Sequence, residues 1–311
     1  MKSTAVTSLT QDGFLGCLFE PSPASARCLI VLIGDESDDF MNTACARWLT
    51  DRTGCAALCL GVNQDPNEAP GLHRWPLEHV ESAVNWLHRR GFEKIGLLGM
   101  SMQASLALTA ASLLPEVSLV IALAPNDFVP WGFYQGKLGK DSKAEWPSGT
   151  SAFTWRGREL PYQPAGLEKE DYWQLFCQEK KQYHEMHSIT LFNRSEEEEP
   201  IDERCFIPVE NIRGSLILVG SEDDSMWDSV RYIHRMEQRL RAKGFPYPLE
   251  MFLYPVGTHL LVPETMMRRA VPLVGDLIPA LFASGRANLR ECRQARMDLE
   301  RQLTAALARW E

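Results

Sequence analysis

Short, continuous apolar runs, each followed by a segment of helical periodicity, constrain this chain more than any other feature it carries. Arg27-Cys28-Leu29-Ile30-Val31-Leu32-Ile33 is β-rich, apolar along its length and ends at Gly34. An unbroken run of this kind reads as a strand buried on both faces. The stretch Asn42–Arg52 then places Cys45, Trp48 and Leu49 on one helical face, and Gly54 ends it in the manner of a C-cap. The pattern repeats. Ala56–Val62 precedes a Pro- and Asn-rich loop through Pro70. Pro76–Arg90 is an amphipathic helix with Leu77, Val80, Val84 and Leu87 in register and Gly91 closing it. Strands alternating with helices predict an α/β fold, a mostly parallel, doubly wound sheet covered on both faces.

The same rhythm continues with Lys94-Ile95-Gly96-Leu97-Leu98-Gly99, a small-residue helix through Leu114, and a strand over Val117–Leu123. It resumes late in the chain. Ser215–Val219 precedes an acidic turn and a helix over Ser229–Lys243, and Leu249–Tyr254 precedes Gly257-Thr258-His259. Between these blocks, 127–206 breaks the pattern with Trp-, Tyr- and charge-rich sequence, including Glu196-Glu197-Glu198-Glu199, which reads as a solvated loop. An interruption of this length inside a regular fold is expected to be a cap or lid inserted over the site. The last segment, 286–311, reads as a charged helix packed through Leu289, Cys292, Leu299, Leu303 and Leu307. One domain over 1–311, with the insertion inside it, is the expected organisation.

A net charge of −9 argues against nucleic acid as the main partner, because phosphate binding requires clustered Lys and Arg. The eight cysteines form no CxxC pair and several lie inside apolar runs, so they read as buried free thiols of a reducing compartment. The N-terminus lacks the apolar stretch of a signal peptide, and no run approaches a membrane span. A cytoplasmic location follows as the default expectation. No His/Asp/Glu cluster has metal-ligand spacing, so neither a metal nor another cofactor is expected.

The chemistry-bearing feature is Gly99-Met100-Ser101-Met102-Gln103, lying between a buried strand and a helix. In the G-x-S-x-G elbow the serine sits on a strained strand-to-helix turn that lifts its hydroxyl above the sheet. Gln103 stands where the second glycine is usual, while Ala104 and Ser105 are small enough for close packing. A serine hydroxyl needs a base to become nucleophilic, and His259 follows the last strand. An acid must orient that base. Asp223 and Asp224 both follow the strand ending at Val219, and Asp224 is favoured from its place in the loop. The order Ser…Asp…His, each residue after a strand, is that of the α/β-hydrolase fold. An oxyanion hole is also required. The Met102 amide is one expected donor, and Asp35 or Glu36, in the acidic loop after the first long strand, is the second. Trp131, Phe133 and Tyr134 are candidates for an acyl pocket, with core packing as their alternative.

Several blocks resemble the catalytic domain shared by acyl-CoA thioesterases and bile acid-CoA:amino acid N-acyltransferase. They are Trp75-Pro76-Leu77-Glu78, Gly96-Leu97-Leu98-Gly99-Met100-Ser101, Ile207-Pro208-Val209-Glu210-Asn211-Ile212, 218–227 and Tyr254-Pro255-Val256-Gly257-Thr258-His259, with a similar tail after Arg286. The resemblance implies a Ser/Asp/His triad at Ser101, Asp224 and His259, and a small-molecule acyl thioester or ester as substrate. Two-domain members carry an N-terminal β-sandwich; this chain resembles the shorter bacterial relatives that lack it. Some acyltransferase members use cysteine as nucleophile, so Ser101 resembles the hydrolytic branch. A carboxylesterase, an acyl-CoA-dependent N-acyltransferase and a non-catalytic binding protein on the same fold are the competing expectations.

Overall fold

The computed structural model describes residues 3–64, 71–134, 149–164 and 172–310. Its centre is an eight-stranded sheet. The strands are β1 (Ala5–Val6), β2 (Gly16–Phe19), β3 (Arg27–Leu32), β4 (Ala56–Leu60), β5 (Lys94–Met100), β6 (Val117–Leu123), β7 (Ser215–Ser221) and β8 (Leu249–Tyr254). They lie side by side in the order β1-β2-β4-β3-β5-β6-β7-β8. Strands β3 to β8 run parallel to their neighbours, and β1 and β2 join antiparallel at one edge. Order reverses at β3, and the chain leaves β3, β5, β7 and β8 at the same sheet end. Ligands of open α/β sheets bind outside that carboxyl end, at a topological switch point.

Period-two alternation along each strand divides the core in two. Cys28, Ile30, Leu32, Ile95, Leu97, Leu216 and Leu218 face one side. There they meet α2 (Glu78–Arg89), α3 (Met102–Leu113) and α6 (Ser229–Ala242). Leu29, Val31, Leu98, Met100, Ile217 and Val219 face the other side. That side is covered by α1 (Phe40–Trp48), α7 (Glu264–Ala270) and α8 (Leu289–Arg309). Both faces are therefore apolar, which is why these strands read as unbroken hydrophobic runs. All eight cysteines are free, and all but Cys177 are buried.

The element boundaries differ from the sequence expectation in instructive places. Trp75 and Pro76 do not open α2. They form a short strand beside Phe153–Trp155, so the helix starts at Glu78. Helix α1 ends by widening into a π turn over Leu49–Thr53 before Gly54 adopts φ 66°. Within 127–206, α4 (Tyr172–Tyr183) and α5 (Ile189–Glu198) are helical. Glu196 is not a solvated loop residue, because it lies on α5 and accepts from Tyr232 Oη at 2.7 Å and Arg235 at 2.9 Å. Phe128, Trp131, Leu191 and Phe192 from this segment form a third apolar cluster with Trp227 and Tyr232, packing it over the loop after β7.

Candidate active site

Ser101 ends the β5-to-α3 turn with φ 58° and ψ −130°. A non-glycine residue held there costs on the order of 1–3 kcal/mol, and it persists because the surroundings determine it. Two contacts do so. The Ser101 amide donates to the Leu123 carbonyl at 2.8 Å, tying the turn to β6. Gly99 lets the helix approach: a Cβ there would lie 2.3 Å from the Gln103 carbonyl oxygen and 2.8 Å from the Ala104 Cα. Only glycine fits beneath this turn.

The Ser101 hydroxyl lies 2.8 Å from His259 Nε2 and donates to it. On the other edge of the ring, Nδ1 lies 3.0 and 2.9 Å from the two carboxylate oxygens of Asp224. A carboxylate is an acceptor only, so Nδ1 carries the proton and Nε2 is left as the basic nitrogen. His259 and Asp224 are buried, and the Trp227 ring packs edge-on against the imidazole at 4.9 Å between centroids. Trp227 is itself held by Nε1 donating to the Ala124 carbonyl at 3.2 Å. Asp224 also accepts from the Met226 amide at 3.0 Å, which fixes its carboxylate plane.

The neighbouring Asp223 faces away from the ring. It accepts from the Gly257 and Thr258 amides at 3.0 and 2.8 Å, and from the Ser221 and Ser284 hydroxyls at 2.5 and 2.7 Å. Thr258 sits at φ 62°, so Asp223 pins a strained turn immediately before His259. The two carboxylates thus divide into one that touches the imidazole and one that holds its loop.

Of the expected oxyanion donors, the Met102 amide opens α3 and has no protein acceptor among the described residues. In the loop after β3, the Glu36 amide is not free. It donates to Asp39 Oδ2 at 3.2 Å, because Asp39 caps α1 and draws the loop back onto itself. The Asp35 amide has no acceptor among the described residues, and its carbonyl is held by the Asn63 amide at 2.9 Å. Desolvation, then the nearby Asp39 and Glu36, raises the Asp35 carboxyl above its ordinary value. The Glu36 carboxylate points away toward Asn63 Nδ2 at 2.6 Å.

A cavity of about 430 Å³ opens beside Ser101 and His259. Its size falls within the roughly 300–1,000 Å³ of small-molecule sites. Its wall is apolar and rich in methionine, with Met41, Met100, Met186, Met226 and Met267 all contributing. Trp131 does not line it, because that indole is buried against Phe192 at 5.3 Å in the third cluster. The side chains of Phe133 and Tyr134 lie outside the described residues. The residues that do form the far wall, Val271, Ile278, Leu281 and Phe282, come from the stretch after α7. Sequence reading passed over this stretch; its signal is the dense apolar spacing between Val271 and Phe282. Among the described residues no group of three or more His, Cys, Asp or Glu is arranged to hold a metal ion. No helix among them is long and apolar enough to cross a membrane.

Strand order, the strained serine after β5 and the histidine after β8 define an α/β-hydrolase fold. The family model described as BAAT / Acyl-CoA thioester hydrolase C terminal matches residues 75–266, and the chain belongs to that family. Human acyl-coenzyme A thioesterase 1 is 27% identical over 201 residues, covering 64% of this chain and 40% of that protein. Human acyl-coenzyme A thioesterase 2, mitochondrial, is 27% identical over the same length, covering 64% and 35%. The chain thus spans well under half the length of these relatives. Among solved structures, a sugar hydrolase (YeeB) from Lactococcus lactis superposes with TM-score 0.53 at 15% identity, covering 97% of this chain and 99% of that one. A putative dienelactone hydrolase from Klebsiella pneumoniae gives 0.52 at 13% identity, covering 98% of each. At such identity these two speak for the fold alone.

Proposed function

We propose that this chain is a serine hydrolase that cleaves an acyl thioester, or a related ester, through an acyl-enzyme. The observation that carries the reading is the hydrogen-bonded line Ser101 Oγ–His259 Nε2 at 2.8 Å and His259 Nδ1–Asp224 at 2.9 Å, at the mouth of an apolar cavity. His259 takes the serine proton as Oγ bonds to the acyl carbon, and Asp224 stabilises the imidazolium that forms. The carbonyl π pair moves onto oxygen, where the Met102 amide meets it. Collapse expels the thiolate, which takes the proton from His259. Water then repeats the sequence on the acyl-serine and releases the acid. The described parts of 127–206 act as a cap, supplying Met186 to the cavity wall and resting on the acid loop. Flexible thioethers adapt to different chains, so the cavity suits linear acyl groups of several lengths.

Family membership supports the thioester as the bond cleaved, and the two human relatives are named as acyl-coenzyme A thioesterases. The test is hydrolysis of acyl-CoAs of graded chain length, by the chain as it stands and by Ser101→Ala. Removing the nucleophile is expected to lower kcat by roughly 10⁶-fold. Equal turnover by both proteins would remove Ser101 from the chemistry. Adding candidate amines to the same assay separates hydrolysis from transfer, because transfer yields an amide.

A further inference from the structure

The elbow departs from its two-glycine pattern at Gln103, and the structure gives that side chain a place in the site. The Gln103 backbone, not its side chain, is what presses on Gly99. The side chain instead lines the catalytic cavity with Ser101, His259 and Ile33. Its Nε2 lies 3.5 Å from the Ile33 carbonyl, just beyond the end of β3. The second oxyanion donor of this fold comes from that region. There the loop's own amides are mostly spent. Ile33 and Gly34 donate to Oδ1 of the buried Asn42 at 3.4 and 3.3 Å, and Glu36 donates to Asp39. Of the four amides from Ile33 to Glu36, only that of Asp35 lacks an acceptor among the described residues. It sits in an acidic loop, beside the partly buried Asp35 carboxyl and the Asp39 cap of α1.

Resting on the serine-hydrolase reading above, we propose that the Gln103 side-chain amide is an oxyanion donor, facing the acyl oxygen opposite the Met102 amide. An amide nitrogen carries two hydrogens. One points at Ile33, and the other is available to the oxygen that gains the carbonyl electron pair when Ser101 attacks. A neutral donor at this place offsets the acidic loop without adding a charge. Gln103 transfers no proton; it donates a hydrogen bond that strengthens as charge builds, so it acts on the transition state more than on the substrate.

The experiment compares Gln103→Ala and Gln103→Gly with the unmodified chain on an acyl-CoA. A trifluoromethyl ketone that Ser101 attacks, and an unreactive thioether analogue of the substrate, complete the set. Loss of one oxyanion donor is expected to lower kcat by on the order of 10²-fold. Ketone affinity should fall by a similar factor, while KM and thioether affinity stay within about twofold. Turnover within about threefold of the unmodified chain would overturn the inference and leave the role to the Asp35 amide. Equal loss of ketone and thioether binding would overturn it too, showing that Gln103 merely shapes the cavity. Fluorophosphonate labelling separates this from the parent reading. If the unmodified chain labels and Ser101→Ala does not, a silent Gln103→Ala sinks only the role of Gln103. If the unmodified chain fails to label and Ser101→Ala turns over normally, both fall.

Discussion

Asp224→Asn and Asp223→Asn make the same chemical change at adjacent positions, and the hydrogen bonding around them predicts opposite outcomes. Asparagine at 224 can keep its carbonyl oxygen toward the Met226 amide, so the loop stays formed. Its NH₂ then faces His259 Nδ1, where a carboxylate oxygen accepts at 2.9 Å. A donor at that place opposes the Nδ1 proton, and only Oδ1, 3.0 Å from Nδ1 and shared with the Met226 amide, is left to accept it. The balance shifts toward the imidazole with its proton on Nε2, which no longer accepts the Ser101 proton. A wrong tautomer in an otherwise intact triad lowers kcat by ~10⁴-fold, about 5 kcal/mol of lost transition-state stabilisation. At 223 the carbonyl oxygen can keep the Gly257, Thr258 and Ser221 donors, and the new NH₂ meets the Ser284 hydroxyl, which can rotate to accept. What is lost is charge assistance, about half the strength of such bonds. Asp223→Asn should therefore lower unfolding stability by about 1–2 kcal/mol and kcat by less than about tenfold. Thiol release from an acyl-CoA, followed beside urea unfolding of each variant, reads both quantities. If Asp223→Asn loses as much turnover as Asp224→Asn, or Asp224→Asn keeps turnover within tenfold, the division of labour between the two carboxylates is wrong.

Two further outcomes follow from packing and charge. Gly99→Ala sets a methyl 2.3 Å from the Gln103 carbonyl oxygen, so the elbow must open. Urea unfolding should show a loss of about 1–3 kcal/mol, and kcat should fall by ~10²-fold as Ser101 leaves its line with His259. Glu264 accepts from Arg268 at 2.7 Å and from the buried Arg296 at 2.8 Å, and these arginines hold its carboxyl below the ordinary 4.5 despite burial. A depressed folded-state value means that the stabilisation is fully present above about pH 4.5 and is lost as pH falls through the lower folded value. Glu264→Gln should flatten that acid limb of a stability-versus-pH curve. An unchanged slope between pH 5 and pH 3 would show that the cluster contributes nothing to acid sensitivity.

The parts of this molecule that were legible in its sequence are those where one physical requirement acts on many neighbouring residues. Strands β3 to β7 announce themselves because both faces are covered, so nearly every position is apolar, while the edge strand β8 is half-buried and carries Glu250. Strands β1 and β2 lie at the antiparallel edge, with two and four residues, too short for a period to emerge. The order of Ser101, the acidic pair and His259 was readable because each follows a strand at the same sheet end. Place in the loop favoured Asp224 over Asp223, and the turn over Ser221–Asp224 brings Asp224 to the ring, while the loop-holding bonds of Asp223 left no trace in composition. The stretch after α7 was missed because a short 3-10 helix with Pro279 inside it has no clean periodicity, although it walls the cavity. Asn42 illustrates the harder case. It reads as an ordinary polar residue on α1, yet it is fully buried and accepts from the Ile33 and Gly34 amides. One side chain eight and nine residues away thereby decides which amides of the β3 loop remain without an acceptor among the described residues. Gln103 belongs with it: the departure from the elbow pattern is visible in one line of sequence, whereas its meaning depends on an amide and a carbonyl seventy residues apart being brought together. Which donors remain free around Ser101 depends on those the fold has already used, and that accounting closes only in three dimensions.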